Sequence, residues 1–187
     1  MATKTMKKLV VFVCTGNTCR SPMAEAIFRR EIEYLGLTKL KVVSAGTRAN
    51  KGDAINPKSA YVLEEREIPI GEFSAKKVDK RMLKQSLAIV CMTDEQRDLL
   101  MEMRWKVLRE AGEEEIENNI YSFSELTGYE VLDPYGKDLD CYRYVFELIA
   151  GGMSAITKKL LPMEARKHWM EKPKKTTKKS SQKEKVL

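Results

Sequence analysis

The run LVVFVCTGNTCRSPMAEAIF, residues 9–28, joins an apolar segment, a small polar turn and the start of a helix. The segment LVVFV is rich in β-branched residues and lacks alternation, which is typical of a strand buried on both faces of a parallel sheet. Ser21 and Pro22 offer an N-cap followed by proline at the first helical position, and helical apolar spacing continues to Leu35, before Gly36. The run therefore predicts a strand, a loop and a helix.

The rest of the chain repeats this alternation of strands and helices. We predict strands at 40–44, 87–92 and, more weakly, 119–122, and helices at 57–67, after an N-cap at Asp94, and at 139–160. The last helix has the strongest apolar periodicity, although Gly151-Gly152 within it disfavours a helix. This order predicts an α/β fold, with a short parallel sheet of about four strands and helices on both faces.

Length and composition favour one globular domain in a reducing compartment. The chain has 187 residues, 43% of them hydrophobic, and its longest apolar runs are six residues each, too short for a membrane span or a secretory leader. Four cysteines and one histidine suggest cytoplasmic thiols. A four-cysteine zinc site is the alternative, but Cys91 and Cys141 lack the close pairing that structural zinc prefers. We therefore expect no membrane insertion and no metal.

The basic charge is concentrated at the C-terminal end. Residues 157–187 hold 11 of the 34 Lys and Arg residues and three of the 27 acidic ones, which leaves 23 basic against 24 acidic residues elsewhere. We predict a domain at 1–160 and a lysine-rich, disordered tail at 161–187. The tail could contact nucleic acid or anionic membranes weakly, or it could be a solvated segment without a fixed partner.

The turn after the first strand is the expected ligand site, because ligands of open α/β sheets gather at the carboxyl ends of the strands. It is not a Walker loop, yet its backbone N–H groups would converge before a helix N-terminus and bind a tetrahedral oxyanion. The candidate phosphate-binding residues are Thr15, Gly16, Asn17, Thr18, Cys19 and Ser21.

A nucleophile and an anion-binding side chain lie within this turn. Cys14 enters it at the strand end, where the helix terminus and Arg20 would favour thiolate over thiol. Arg20 offers a planar fork for two phosphoryl oxygens, and Ser21 can donate its hydroxyl to the sulfur. This interpretation has two alternatives. The pair could be a buried cysteine beside a surface arginine, or the pocket could bind a phosphorylated ligand without turnover.

A phosphocysteine mechanism also needs a general acid on a loop over the pocket. Asp133 in VLDPYG is the best candidate, since Pro134 fixes the backbone after it and Gly136 allows the turn. Tyr135 could form an aromatic wall beside the entering side chain. A plain Asp-Pro turn before a helix explains the same residues.

Together, CTGNTCRSPMAEA and the late Asp133-Pro134 pair resemble the low-molecular-weight protein tyrosine phosphatase family, over residues 7–160. The resemblance implies that Cys14 is the nucleophile, that Arg20 binds the phosphoryl group, and that Asp133 protonates the leaving atom and then activates water. It implies a phosphorylated protein as substrate and no cofactor or metal. We also expect a monomer.

The resemblance extends to residues that support or protect the loop. It implies that Ser44 hydrogen-bonds Asn17 and so holds the loop backbone. Cys19 matches a second loop cysteine that can form a reversible disulfide with Cys14; a cysteine that fills space under the loop is the alternative.

Position 18 separates two branches of the family. Members that are specific for phosphotyrosine resemble one another in having an aliphatic residue at the position of Thr18. A threonine at this position looks like the protein arginine phosphatase branch. A threonine leaves more room and adds a hydroxyl for a guanidinium, so we favour phosphoarginine, with phosphotyrosine as the alternative. Tyr135 could stack on either group. The related arsenate reductase would need two neighbouring cysteines beyond the loop, which the spacing of Cys91 and Cys141 disfavours.

Overall fold

The computed structural model describes residues 7–112, 118–167 and 169–170, and within them it forms a four-stranded parallel sheet. The strands lie in the order β2-β1-β3-β4. Their bounds are β1 (Leu9–Cys14), β2 (Lys41–Gly46), β3 (Ser86–Cys91) and β4 (Ile120–Ser122). The predicted parallel sheet is confirmed, and each strand lies within two residues of its predicted position.

Helices cover both faces of the sheet, as predicted. In the described part of the chain they are α1 (Arg20–Tyr34), α2 (Pro57–Glu64), α3 (Lys80–Gln85), α4 (Asp94–Glu110), α5 (Phe123–Thr127), α6 (Leu139–Leu160) and α7 (Met163–Arg166). The sequence pattern did not predict α3, α5 and α7, which have only four to six residues each. Such short helices hold too few residues for a periodic pattern to emerge.

The central strand β1 contributes side chains to two separate cores. Val10 and Phe12 pack into the larger core with residues of α1 and α6, whereas Val11 and Val13 pack into a second core with residues of α3 and α4. All four side chains are fully buried. Because successive side chains of a strand point to opposite faces, burial on both sides explains why β1 lacks polar alternation.

Two helix starts differ from the sequence prediction. Helix α1 begins at Arg20 after Cys19, which forms no side-chain capping bond, so Ser21 lies inside the helix and is not its N-cap. Helix α4 is capped by Thr93, whose hydroxyl accepts from the Gln96 N–H in a reciprocal capping box, and Asp94 is its first residue. The predicted cap residues therefore lie inside the helices, Ser21 as the second residue of α1 and Asp94 as the first residue of α4.

The glycine pair within α6 does not interrupt the helix, and its two members differ in their surroundings. A Cβ on Gly152 would lie 2.4 Å from the Phe123 ring, whereas one on Gly151 would approach only the Tyr129 hydroxyl, at 3.4 Å. Gly152 therefore lets α6 pack closely on α5, and Gly151 has no comparable role.

Alanine at these two positions should consequently have opposite effects on stability. We expect Gly152→Ala to lower the free energy of unfolding by about 1–3 kcal/mol, because the methyl group overlaps an aromatic ring. Gly151→Ala should leave the stability unchanged or raise it by up to about 1 kcal/mol, because alanine favours the helix. Urea denaturation of both variants checks this, and equal losses for the two would contradict the close approach at Gly152.

Packing continues beyond the predicted domain boundary at residue 160. Leu161 and Trp169 are buried in the larger core, and the Trp169 carbonyl accepts a 3.0 Å hydrogen bond from the Lys39 N–H. Most of the lysine-rich tail, residues 171–187, lies outside the described residues, so its predicted disorder and polyanion contacts stay predictions. Among the helices described, none is both long and apolar enough to cross a membrane.

Candidate active site

The turn between β1 and α1 forms a closed loop at the carboxyl edge of the sheet. Cys14 is the last residue of β1, and the carbonyls of Cys14 and Thr15 each accept a 2.9 Å hydrogen bond from the segment that follows β2. Asn17 adopts a left-handed backbone with φ 56°, whereas Gly16 does not. The left-handed residue reverses the chain between strand and helix.

The side chain of Asn17 is the centre of the network that holds this loop. It is fully buried, and its Nδ2 donates to Ser21 Oγ at 3.0 Å and to Ser44 Oγ at 2.9 Å. Its Oδ1 accepts from the Lys76 N–H at 2.9 Å. Ser44 in turn donates to Glu25 Oε2 at 2.6 Å. The Asn17–Ser44 contact that the family resemblance implied is therefore present.

A glycine on β2 lets the loop sit directly against the sheet. A Cβ on Gly46 would lie 2.5 Å from the Thr15 carbonyl oxygen and 2.9 Å from the Asn17 backbone nitrogen. Any side chain there would push the loop away from the strand. The SAG segment at 44–46 thus combines a polar anchor with a gap for the loop backbone.

The sulfur of Cys14 receives two polar contacts inside the loop. The Asn17 N–H donates to Sγ at 3.2 Å, and Ser21 Oγ lies 3.0 Å from it. The Ser21 hydroxyl also donates to the Ala45 carbonyl at 3.3 Å, which fixes its position next to the sulfur. Cys14 is 3% exposed. Cys14 also lines the cavity above the loop, so its sulfur is placed where a bound group could be attacked.

Arg20 and Asp133 meet across the opening of the loop. One guanidinium nitrogen of Arg20 lies 2.6 Å from Asp133 Oδ2, and another donates to the Val131 carbonyl at 3.4 Å. Arg20 is 4% exposed, whereas the Asp133 side chain is 53% exposed. The Tyr135 N–H donates to Asp133 Oδ1 at 3.1 Å, which fixes the Asp-Pro turn. Two residues 113 positions apart are thereby brought to the same site.

The cavity above Cys14 has a volume of about 340 Å³ and contains side chains that the sequence did not single out. Arg48, Asn50 and Asp53, from the loop after β2, line its outer wall beside Asp133 and Tyr135. Backbone hydrogen bonds hold that loop in place. The Gly52 N–H donates to the Ala75 carbonyl, and the Ala75 N–H donates to the Asp53 carbonyl. No local motif marks these three residues, since only the fold brings them to the cavity.

The remaining candidates in and around the loop also have defined positions. Gly16, Thr18 and Cys19 line the cavity, and Thr15 Oγ1 accepts a 3.1 Å bond from Gln96 at the start of α4. Cys19 lies 3.5 Å from the Tyr142 hydroxyl, and burial together with this contact raises the pKa of that hydroxyl.

None of the four thiols is paired in the structure. Cys91 lies in the second core, where burial raises the pKa of its thiol far above the usual range. Its position gives no support to the disulfide relay of an arsenate reductase. Among the described residues, no cluster of His, Cys, Asp or Glu side chains could hold a metal ion.

Comparison of the sequence with known proteins shows that this chain is related to phosphatases. The family model described as low molecular weight phosphotyrosine protein phosphatase matches residues 9–166. Protein-arginine-phosphatase of Bacillus subtilis is 31% identical over 137 residues, 72% of this chain and 84% of that protein. Low molecular weight protein-tyrosine-phosphatase PtpB of Staphylococcus haemolyticus is 34% identical over 140 residues, 74% of this chain and 89% of its own length.

A solved structure shares the fold across nearly its whole length. It is the YwlE arginine phosphatase, as a cysteine-to-serine mutant with a phosphorylated active site serine. It superposes with a TM-score of 0.72 at 25% identity, covering 84% of this chain and 99% of that one.

Proposed function

The chain belongs to the low molecular weight phosphotyrosine protein phosphatase family, and from that premise we propose how its residues hydrolyse a phosphorylated side chain and which side chain it is. The protein is a low-molecular-weight protein phosphatase that acts on phosphorylated proteins. We assign the nucleophile to Cys14, phosphoryl binding to Arg20 and acid–base chemistry to Asp133. The contacts of these three side chains around one cavity support the assignment.

In the first step the Cys14 thiolate attacks phosphorus. The sulfur–phosphorus bond forms as the bond to the leaving atom breaks, and Asp133 gives its proton to that atom. Arg20 exchanges its contact with Asp133 for two phosphoryl oxygens, whose charge it stabilises in the transition state. The loop N–H groups at the N-terminus of α1 bind the remaining oxygens.

In the second step water replaces the sulfur. The Asp133 carboxylate takes a proton from the water, the oxygen–phosphorus bond forms, and the sulfur leaves as thiolate. The Ser21 hydroxyl, 3.0 Å from Sγ, stabilises the departing sulfur. The phosphorylated active site serine of the YwlE mutant supports a phosphorylated enzyme intermediate for this chain as well.

We propose phosphoarginine as the preferred substrate residue, and the character of the cavity wall supports this choice. Thr18 lines the cavity, half-buried, where an aliphatic residue would offer only hydrocarbon. Two carboxylates, those of Asp53 and Asp133, line the same cavity. Hydroxyl and carboxylate groups accept hydrogen bonds from the N–H groups of a guanidinium. A phenyl ring has no such donors, so it gains nothing from these acceptors.

The ratio of kcat/KM on a phosphoarginine protein to kcat/KM on a phosphotyrosine peptide tests the preference. We expect wild type to prefer phosphoarginine and Thr18→Ile to lower the ratio by about 10-fold or more, since the isoleucine leaves guanidinium donors unpaired and packs on a phenyl ring. Thr18→Val is the matched control, because it replaces the hydroxyl by a methyl group of similar size. It therefore separates the loss of the hydroxyl from the added bulk of isoleucine. A preference for phosphotyrosine in wild type and both variants would refute the proposal.

Phosphotyrosine hydrolysis is the second candidate function. Tyr135 is 73% exposed at the cavity rim, where its ring is free to stack on a phenyl group. The sequence identity of this chain to PtpB is similar to its identity to the arginine phosphatase. The relatives therefore favour neither phosphotyrosine nor phosphoarginine as the substrate.

For the wider setting we propose a monomer that acts in the cytoplasm. The four unpaired thiols fit a reducing compartment. The lysine-rich residues 171–187 would add only weak, salt-sensitive contacts with polyanions.

A further inference from the structure

A second cavity, of about 560 Å³, adjoins the catalytic one. Thr15, Arg20, Arg48 and Asp133 line both cavities, so they form the boundary between them. A polypeptide whose phosphorylated residue entered the catalytic cavity would have to continue along the surface beside it. The second cavity, called here the flanking groove, is an open path that begins at the catalytic residues.

Two exposed apolar side chains from different elements line the flanking groove. Leu99 lies on α4 and is 40% exposed, and Leu132 lies on the loop before Asp133 and is 52% exposed. Large apolar groups this exposed beside a catalytic centre gain free energy when a ligand covers them. The groove therefore offers a place for one apolar side chain.

Both sides of the groove are fixed to the catalytic loop. Gln96, one turn before Leu99, donates to Thr15 Oγ1 at 3.1 Å. On the other side, the Val131 carbonyl next to Leu132 accepts from Arg20 at 3.4 Å. Because each side contacts a residue of the catalytic site, the distance from the groove to the nucleophile is set by the fold. Such a preformed surface binds a ligand without a large ordering cost.

The charges of the groove favour a basic ligand. Glu95 and Glu130 line it and are exposed, whereas its two cations, Arg20 and Arg48, lie on the boundary with the phosphate-binding cavity. The phosphoryl group would draw Arg48 and Arg20 towards itself, leaving the two carboxylates to face the flanking segment. A lysine or arginine there would be attracted, and an acidic residue repelled.

We propose that the flanking groove binds the substrate polypeptide next to its phosphorylated residue, with an apolar side chain between Leu99 and Leu132 and a basic one beside Glu95 and Glu130. This inference rests on the proposed phosphatase function and adds a sequence preference to it. An acidic segment or an anionic lipid surface would meet repulsion from the same carboxylates. The selected substrates are thus phosphorylated sites with an apolar and basic flank.

Paired phosphopeptides measure this preference. The two peptides carry the same phosphorylated residue, whichever the protein hydrolyses faster, and differ only in a Leu-Lys or a Gly-Glu flank, placed in turn on each side. We expect wild type to favour the Leu-Lys flank on one side by about 10-fold in kcat/KM, mainly through KM. Leu99→Ala and the double variant Glu95→Gln with Glu130→Gln should each reduce this preference by about threefold or more.

Matched variants and a small substrate separate the groove from the chemistry. Met101→Ala and Glu102→Gln change exposed residues of α4 that do not line the groove, and they should keep the wild-type preference. With p-nitrophenyl phosphate, which has no polypeptide to occupy the groove, all these variants should match wild type. Equal rates on both peptides, or a preference that survives the groove substitutions, would overturn the groove inference alone. Absence of turnover on every phosphorylated substrate would overturn the proposed function and the inference with it.

Discussion

Cys14→Ser is expected to abolish phosphatase turnover while leaving the fold and the oxyanion cradle intact. A serine hydroxyl is a far weaker nucleophile than a thiolate, and the loop contains no base to activate it, because Ser21 and the Asn17 N–H contact the sulfur only as donors or neutral partners. We expect kcat to fall by about 10⁴-fold or more. Binding of inorganic phosphate should persist, since Arg20 and the loop N–H groups are unchanged.

The measurement combines turnover of p-nitrophenyl phosphate with calorimetric titration of inorganic phosphate. Cys141→Ser is the matched control, because that thiol lies on α6 and does not line the catalytic cavity. It should retain wild-type activity. A Cys14→Ser protein that hydrolyses phosphate esters at a near-normal rate would rule out the phosphocysteine mechanism.

Asp133→Asn should separate the two roles of the Arg20–Asp133 contact. The amide cannot donate the required proton, so kcat should fall by about 10²–10³-fold for substrates whose leaving atom must be protonated, and much less for p-nitrophenol, a good leaving group. At the same time the 2.6 Å ion pair is lost, which frees the Arg20 guanidinium and removes a negative charge from the cavity wall. Inorganic phosphate should therefore bind more tightly to the variant than to wild type.

Rates on a series of aryl phosphates with leaving groups of increasing pKa test the first role, and phosphate titration tests the second. Asp140→Asn is a suitable control, since Asp140 pairs with Arg143 on the surface of α6. It should change neither quantity. A variant whose rate loss is the same for every leaving group would exclude Asp133 as the general acid.

The sequence predicted the central part of the fold well because local and tertiary preferences agree there. The β-branched run of β1 is buried on both faces, and its turn leads directly into α1, so neighbouring residues carry the whole signal. At Asp94 the local preference was misleading, since two adjacent residues, Thr93 and Asp94, can both cap a helix. The capping box with Gln96 selected Thr93.

The loop residues predicted from the sequence lie together in the structure, whereas part of the cavity wall was not predicted. The C-x5-R spacing singles out Cys14 and Arg20 only together with the buried strand before it and the helix start after it, whereas Asp133 needed the family resemblance to distinguish it from an ordinary turn. Asp53 and Arg48 were not predicted as residues of the cavity wall. Their positions depend on backbone hydrogen bonds between the loop after β2 and the segment near Ala75. Such contacts join residues with no shared sequence pattern, so they become visible only once the chain is folded.

The ion pair between Arg20 and Asp133 joins residues that a ribosome adds 113 residues apart. A nascent chain would therefore carry its nucleophile and its phosphate-binding arginine long before its general acid exists. The core that holds α1 also contains residues of α6, which follows Asp133 in the chain. We therefore expect catalytic competence to arise late in synthesis, at nearly the same point as the complete fold, so that the growing polypeptide is not yet an active phosphatase.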